Sequence, residues 1–139
     1  MKAAVVLCAL VALAAAIAPV DPEIQAAINN GEKIDIFVHL PLRTPKANSF
    51  YAGMTRAERR VVVHEALVKH ATPFQAPILK LARGAGFESK GFWISNSILI
   101  KQATPALINT LRADRNVVRL EADKIVARIN DPIVHEATE

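Results

Sequence analysis

Apolar residues along this chain recur with two different periods, and the order in which those periods alternate predicts the fold. An unbroken apolar run occupies Ala3 to Ala18. Asp21-Pro22-Glu23 then sets a capping residue before a proline suited to a first helical position. Ile24, Ala27 and Ile28 follow at helical spacing until Asn29-Asn30-Gly31 stops them, which predicts a short leading helix. From Lys33 the period changes to two: Ile34, Ile36, Val38 and Leu40 alternate with Asp35, Phe37 and His39, the pattern of a half-buried strand that Pro41 closes. Residues 41 to 54, with Pro41, Pro45, Asn48 and Gly53, carry no period and predict the longest unstructured connection, exposed and mobile.

Thr55-Arg56-Ala57-Glu58 is a capping box that opens a long helix. Its apolar stripe runs through Val63, Leu67, Ala71, Phe74, Ile78 and Leu81. Pro73 and Pro77 interrupt it, and Thr72-Pro73-Phe74-Gln75 reads as a fresh cap, so the segment is one kinked helix or two nearly collinear ones. Gly84 and Gly86 supply the stop. Phe87 to Ile94 and Ser97 to Gln102 form a hairpin candidate around a tight Ser95-Asn96 junction. Thr104-Pro105 starts a second main helix with Leu107, Ile108 and Leu111 on its buried side, and Asp114 to Asn116 ends it. In the closing segment from Val117, Val118 and Leu120 alternate with Val117 and Arg119, which predicts a last strand. Strand, helix, hairpin, helix, strand is the split βαβ order, an α+β arrangement with the helices on one face of an antiparallel sheet.

Composition changes this picture mainly at the start. Met1-Lys2 followed by the apolar run, with small residues at Ala16 and Ala18, reads as a secretory signal peptide over residues 1–18 rather than a spanning helix. Pro19 disfavours a cut after Ala18, so cleavage after Ala16 stands beside it. The mature protein is then expected to be secreted and extracellular, with no membrane association once the signal is gone. Cys8 leaves with the signal, and a disulfide-free domain of about 120 residues must rely on burying about two-thirds of its unfolded surface. The formal charge of +4 is spread in mixed sign along the chain, which argues against a nucleic-acid partner. Lys90-Gly91-Phe92-Trp93 is faintly similar to the aromatic strand of RNA-recognition domains, but alternation simply divides Phe92 and Trp93 between core and sheet surface.

Candidate chemistry is sparse. No serine sits in a nucleophile elbow, and the mature chain has no thiol, so no enzymatic activity is expected. His39, His64, His70 and His135 have no metal-ligand spacing, since His64 and His70 do not share a helix face, and no metal or cofactor is expected. What remains is Glu121 and Asp123, which an extended chain projects to the same side. Such a pair is either ordinary solvated charge or an acceptor for the orphan N–H groups and positive dipole of helix starts. No helix of this chain obviously needs both, which directs attention to a partner protein.

Val117, Leu120, Glu121 and Asp123 occupy the positions of a Val-x-x-Val/Ile-Glu-x-Asp motif, and the chain here resembles the end of a subtilisin propeptide-like inhibitor domain. The resemblance covers roughly residues 33–129. Within it, the Thr55 to Gly86 segment followed by Gly91-Phe92-Trp93-Ile94-Ser95-Asn96-Ser97-Ile98 is most similar to propeptides of the bacillopeptidase F type. It implies a ferredoxin-like β-α-β-β-α-β sandwich whose sheet sits on a subtilisin-like serine protease, with the outward member of Phe92 and Trp93 touching it. Glu121 and Asp123 would cap two surface helices of that protease. The tail Lys124, Ile125, Val126, Ala127, Arg128 and Ile129 would lie product-like in its cleft, with Ile129 just before the scissile position. The implied division is signal peptide 1–18, leading helix 19–32, inhibitor domain 33–129 and C-terminal tail 130–139. The implied function is a secreted protease inhibitor, able also to template the folding of the protease in trans. Because no catalytic domain follows Glu139, a free-standing inhibitor is expected, with a truncated protease precursor as the alternative. A secreted structural or adhesive module of the same fold is the reading from a different class.

Overall fold

Ile36, Val38, Ile98, Ile100, Leu120 and Ala122 turn from neighbouring strands to one side of a sheet and are almost wholly buried there. The computed structural model describes residues 17–123. In chain order these form α1 (Pro22–Asn30), β1 (Ile34–His39), α2 (Arg56–Gly84), β2 (Ser89–Phe92), β3 (Ser97–Ala103), α3 (Pro105–Arg112) and β4 (Arg119–Ala122). The protein is thus α+β, with three α-helices and a four-stranded antiparallel sheet among the described residues. The strand order is β2-β3-β1-β4.

The helices supply the other half of the core: Ile24 from α1, Ile78 and Ala82 from α2, and Leu107, Ile108 and Leu111 from α3 join the inward strand residues in one cluster. Each large aliphatic side chain removed from water contributes about 1.5–3 kcal/mol. α3 begins as its sequence predicts, with Pro105 in the first turn and the Thr104 hydroxyl accepting from Leu107 N–H at 3.4 Å. The leading helix shares this core, and so does the chain before it. Ala18 is 4% exposed and exchanges bonds with Arg112, donating its N–H to the Arg112 carbonyl (3.1 Å) and accepting from the guanidinium (3.2 Å). Val20 pairs with Leu120, and the Asp21 carboxylate accepts from Ala122 N–H at 3.0 Å, so the free edge of β4 is covered.

α2 is a single helix through both prolines. Pro73 and Pro77 lie four residues apart on its exposed side, where water can satisfy the carbonyls that lose an N–H partner. The fresh cap expected at Thr72 does not form, because the hydroxyl donates back to the Val68 carbonyl at 2.8 Å. The face turned to the sheet is Ala71, Gln75, Ile78 and Ala82, one residue further round than the predicted stripe. Leu81 is consequently 43% exposed. Gln75 tolerates burial because its amide donates to the Phe92 carbonyl (3.0 Å) and to Asn96 Oδ1 (3.2 Å).

Three further expectations need correction. The hairpin turns over four residues, Trp93 to Asn96, and not around Ser95-Asn96 alone. Asn96 takes a left-handed conformation (φ 43°) and donates to the Pro41 carbonyl at 2.7 Å, which fixes the turn against the end of β1. The 41–54 connection contains a 3₁₀ turn, Asn48–Tyr51, held by burial of Tyr51 and its edge-on contact with Phe50. At the last strand the period of two starts only at Arg119: Val117 is buried as the chain leaves its turn, and Val118 is exposed.

Candidate functional site

The three helices occupy one side of the sheet, and no described element covers the other. Alternation sends Lys90 and Phe92 of β2, Leu99 and Lys101 of β3, Asp35, Phe37 and His39 of β1, and Arg119 and Glu121 of β4 to this open face. Its centre is apolar. Phe37 stands directly opposite Leu99 on one side and Glu121 on the other, and its ring lies 6.1 Å from that of Phe92. The Lys90 ammonium sits over the Phe92 ring at 5.5 Å.

Two charged clusters flank this centre. In the first, Glu121 Oε2 lies 2.8 Å from His39 Nε2 and 3.2 Å from the Arg119 guanidinium. In the second, the Lys101 ammonium bridges Asp35 (3.2 Å) and Asp123 (3.4 Å). Asp35 also accepts from Gln102 N–H at 2.8 Å, across a bulge where Gln102 adopts positive φ (52°). Burial pushes the Asp35 carboxyl upward, but the hydrogen bonds from Gln102 and Lys101 and the charge of Lys101 outweigh it and hold the group below its ordinary value. The hydrogen bond to Asp35 is the main cause that raises Lys101, opposed by burial and reinforced by the charges of Asp35 and Asp123.

Glu121 and Asp123 do project to one face, as the strand period requires, but they are not alike. Glu121 keeps 38% of its side chain exposed and Asp123 only 4%. Each is already bonded to neighbouring strands through partners that sequence reasoning did not assign. His39 and Lys101 stand on outward positions of the strand period, so the alternation held their signal once the register was known. Lys124, Ile125, Val126, Ala127, Arg128 and Ile129 lie outside the described residues, as do residues 1–16 and the 130–139 tail. Trp93 leaves the strand entirely and rests its ring edge-on against His64 of α2, at 4.5 Å.

The arrangement suits recognition: a shallow aromatic centre, fixed charges of both signs and an acidic strand end. Among the described residues no group of three or more His, Cys, Asp or Glu is placed to hold a metal ion, and no helix is long and apolar enough to cross a membrane. No protein-family model, no curated protein and no solved structure matches the chain.

Proposed function

We propose that this chain is a secreted inhibitor of a subtilisin-like serine protease, built as a ferredoxin-like β-α-β-β-α-β sandwich. The observation that carries the reading is the uncovered sheet face, with Phe37, Phe92 and Leu99 at its centre and an acidic strand end that runs directly into Lys124. The element order and the β2-β3-β1-β4 sheet support the fold name. The open face docks on the protease. Glu121 and Asp123 exchange their present partners for helix-start N–H groups, and residues 124 to 129 add as a strand along the cleft, where main-chain hydrogen bonds give affinity and alternate side chains give specificity. Each charge-assisted cap contributes on the order of 1 kcal/mol.

A fluorogenic peptide assay against a subtilisin tests this. Inhibition should be present in the parent, weaker by about tenfold or more in Glu121→Ala/Asp123→Ala, and lost on truncation after Ala122. Unchanged inhibition by the double variant, with a normal circular dichroism spectrum, would remove the capping role. The intramolecular bonding of both carboxylates favours a second reading, a secreted binding module of this fold with no protease partner. Absence of any inhibition by the parent chain selects that reading.

A further inference from the structure

α2 is longer than the sheet it lies on. Its 29 residues extend about 43 Å, whereas the seven residues of β3, the longest strand, span about 23 Å. Burial of α2 residues begins only at Ala71, so the helix from Arg56 to His70 overhangs. This overhang retains an apolar stripe in Val63 and Leu67, and the β2–β3 turn lays Trp93 and Ile94 beside it to form an open groove of about 600 Å³. Trp93 and Ile94 are 37% and 69% exposed. The groove is a fixed feature. Gln75 and Asn96 tie the turn to the helix and to Pro41, and His64 holds the indole edge-on.

One end of the groove is cationic. Arg59 and Arg60 line it one turn before Val63, and Arg56 lines it two turns before. Arg59 lies over the Tyr51 ring at 5.5 Å, while Arg56 and Arg60 have no carboxylate partner among the described residues. At 3.6 residues per turn, Glu58 and Glu65 fall on the opposite side of the helix and do not neutralise this end.

We propose that the groove docks a segment of a partner protein that is aliphatic along one side and acidic along the other. The apolar floor takes the aliphatic side chains, as in other helix-in-groove contacts. The guanidiniums at the end pair with carboxylates, for which their planar fork is suited. A second copy of this chain is a poor occupant, because it would bring arginines against arginines. A small molecule is a poor one too, since small-ligand sites enclose most of the ligand and this groove is open along its length. The site stands apart from the protease reading. It lies beyond the His39–Ser97 pair, whereas β4 ends beside Ile36 at the other end of the sheet, so both surfaces can be occupied together.

Trp93 is the chain's single tryptophan, so its fluorescence reports on this groove alone. The full chain is titrated with a synthetic amphipathic peptide carrying leucine on one face and glutamate on the other, with its lysine counterpart, with a peptide of residues 130–139, and with laurate. The glutamate peptide should give a saturable blue shift and the lysine peptide none. Arg56→Glu with Arg60→Glu should weaken binding by about tenfold, as should raised salt. Ile94→Ser, at an exposed position outside the core, should weaken binding while leaving the circular dichroism spectrum unchanged. Equal responses to the glutamate and lysine peptides would overturn the proposal. Tighter binding of laurate, or of the 130–139 peptide, would reassign the groove to an anionic lipid or to the chain's own C-terminus.

Discussion

From Ala71 to Gly84, α2 lies on the sheet and buries Ala71, Gln75, Ile78 and Ala82; from Arg56 to His70 the same helix, with an equally regular stripe through Val63 and Leu67, leaves even its apolar residues only partly buried or exposed. The two halves are indistinguishable in period. They differ in what stands opposite them: strands β2 and β3 in one case; in the other, a four-residue turn with Trp93 and Ile94 and the 41–54 connection, which touches the helix where Tyr51 meets Arg59 and the Pro41 carbonyl meets His70. Apolar periodicity therefore specifies which face of a helix seeks cover, and only the topology decides whether this chain supplies it. The half the chain covers serves stability, and the half it leaves open is available to a partner.

The comparison breaks most directly by truncating one residue in each half. Ile78→Ala should cost about 2–5 kcal/mol, because Ile78 is 2% exposed and its truncation opens a cavity in the core cluster. Leu67→Ala should cost less than about 1 kcal/mol, since its side chain is only partly covered. Urea denaturation of both variants measures the difference, and equal losses would mean that the overhang is packed after all. A second, smaller effect belongs to the junction between helix and hairpin. A Cβ at Gly91 would overlap the Gln75 side-chain amide, so Gly91→Ala should cost about 1–3 kcal/mol. Combining it with Gln75→Ala should be strongly non-additive, because the obstructing amide is then gone. Additive losses would show that Gly91 is sensitive for some other reason.

Much of the fold was legible in the sequence. Ile34, Ile36, Val38 and Leu40 declare their strand by alternation, Thr55 and Glu58 form both bonds of their capping box (3.2 and 2.7 Å), and Leu107, Ile108 and Leu111 are buried as their spacing requires. What stayed illegible depends on contacts far apart in sequence. Gln75 reads as a polar interruption until Phe92 and Asn96 are brought to its amide, and Ala82 displaces Leu81 because the sheet fixes the rotation of the helix. In the candidate site, the shared face of Glu121 and Asp123 follows from a period of two. Their bonds to His39, Arg119 and Lys101 follow from strand register, which no local pattern encodes.

With none of its residues fully buried, the overhang should depend on its own local devices more than the covered half does. Thr55→Ala removes the hydroxyl half of the capping box and leaves the Glu58 N–H without its side-chain acceptor. The expected loss of about 1 kcal/mol should stay local: amide exchange at Arg59 to Val63 should accelerate about fivefold, while exchange at Gln75 to Ala82 is unchanged. Acceleration along the whole helix would mean that both halves open as one unit, which would erase the distinction drawn between them.

The smallest effect lies on the open sheet face and concerns pH. Asp35 is held below its ordinary value of 3.8 despite burial, through Gln102 N–H and the Lys101 ammonium. A carboxyl whose pKa is depressed by folding binds its proton less readily in the folded state. The stability it contributes is therefore fully present above about 3.8 and is lost as pH falls from there through the lower folded value. For a partly exposed pair the amount is under about 1 kcal/mol. Urea midpoints measured across that acid window should fall more steeply for the parent than for Asp35→Asn, and Lys101→Met should flatten the slope as well, because it removes the cation that Asp35 and Asp123 share. A slope carried unchanged into Asp35→Asn would assign the acid sensitivity to other carboxylates. It would also leave the Lys101 bridge as a feature of geometry that does not anchor β3 to the ends of β1 and β4.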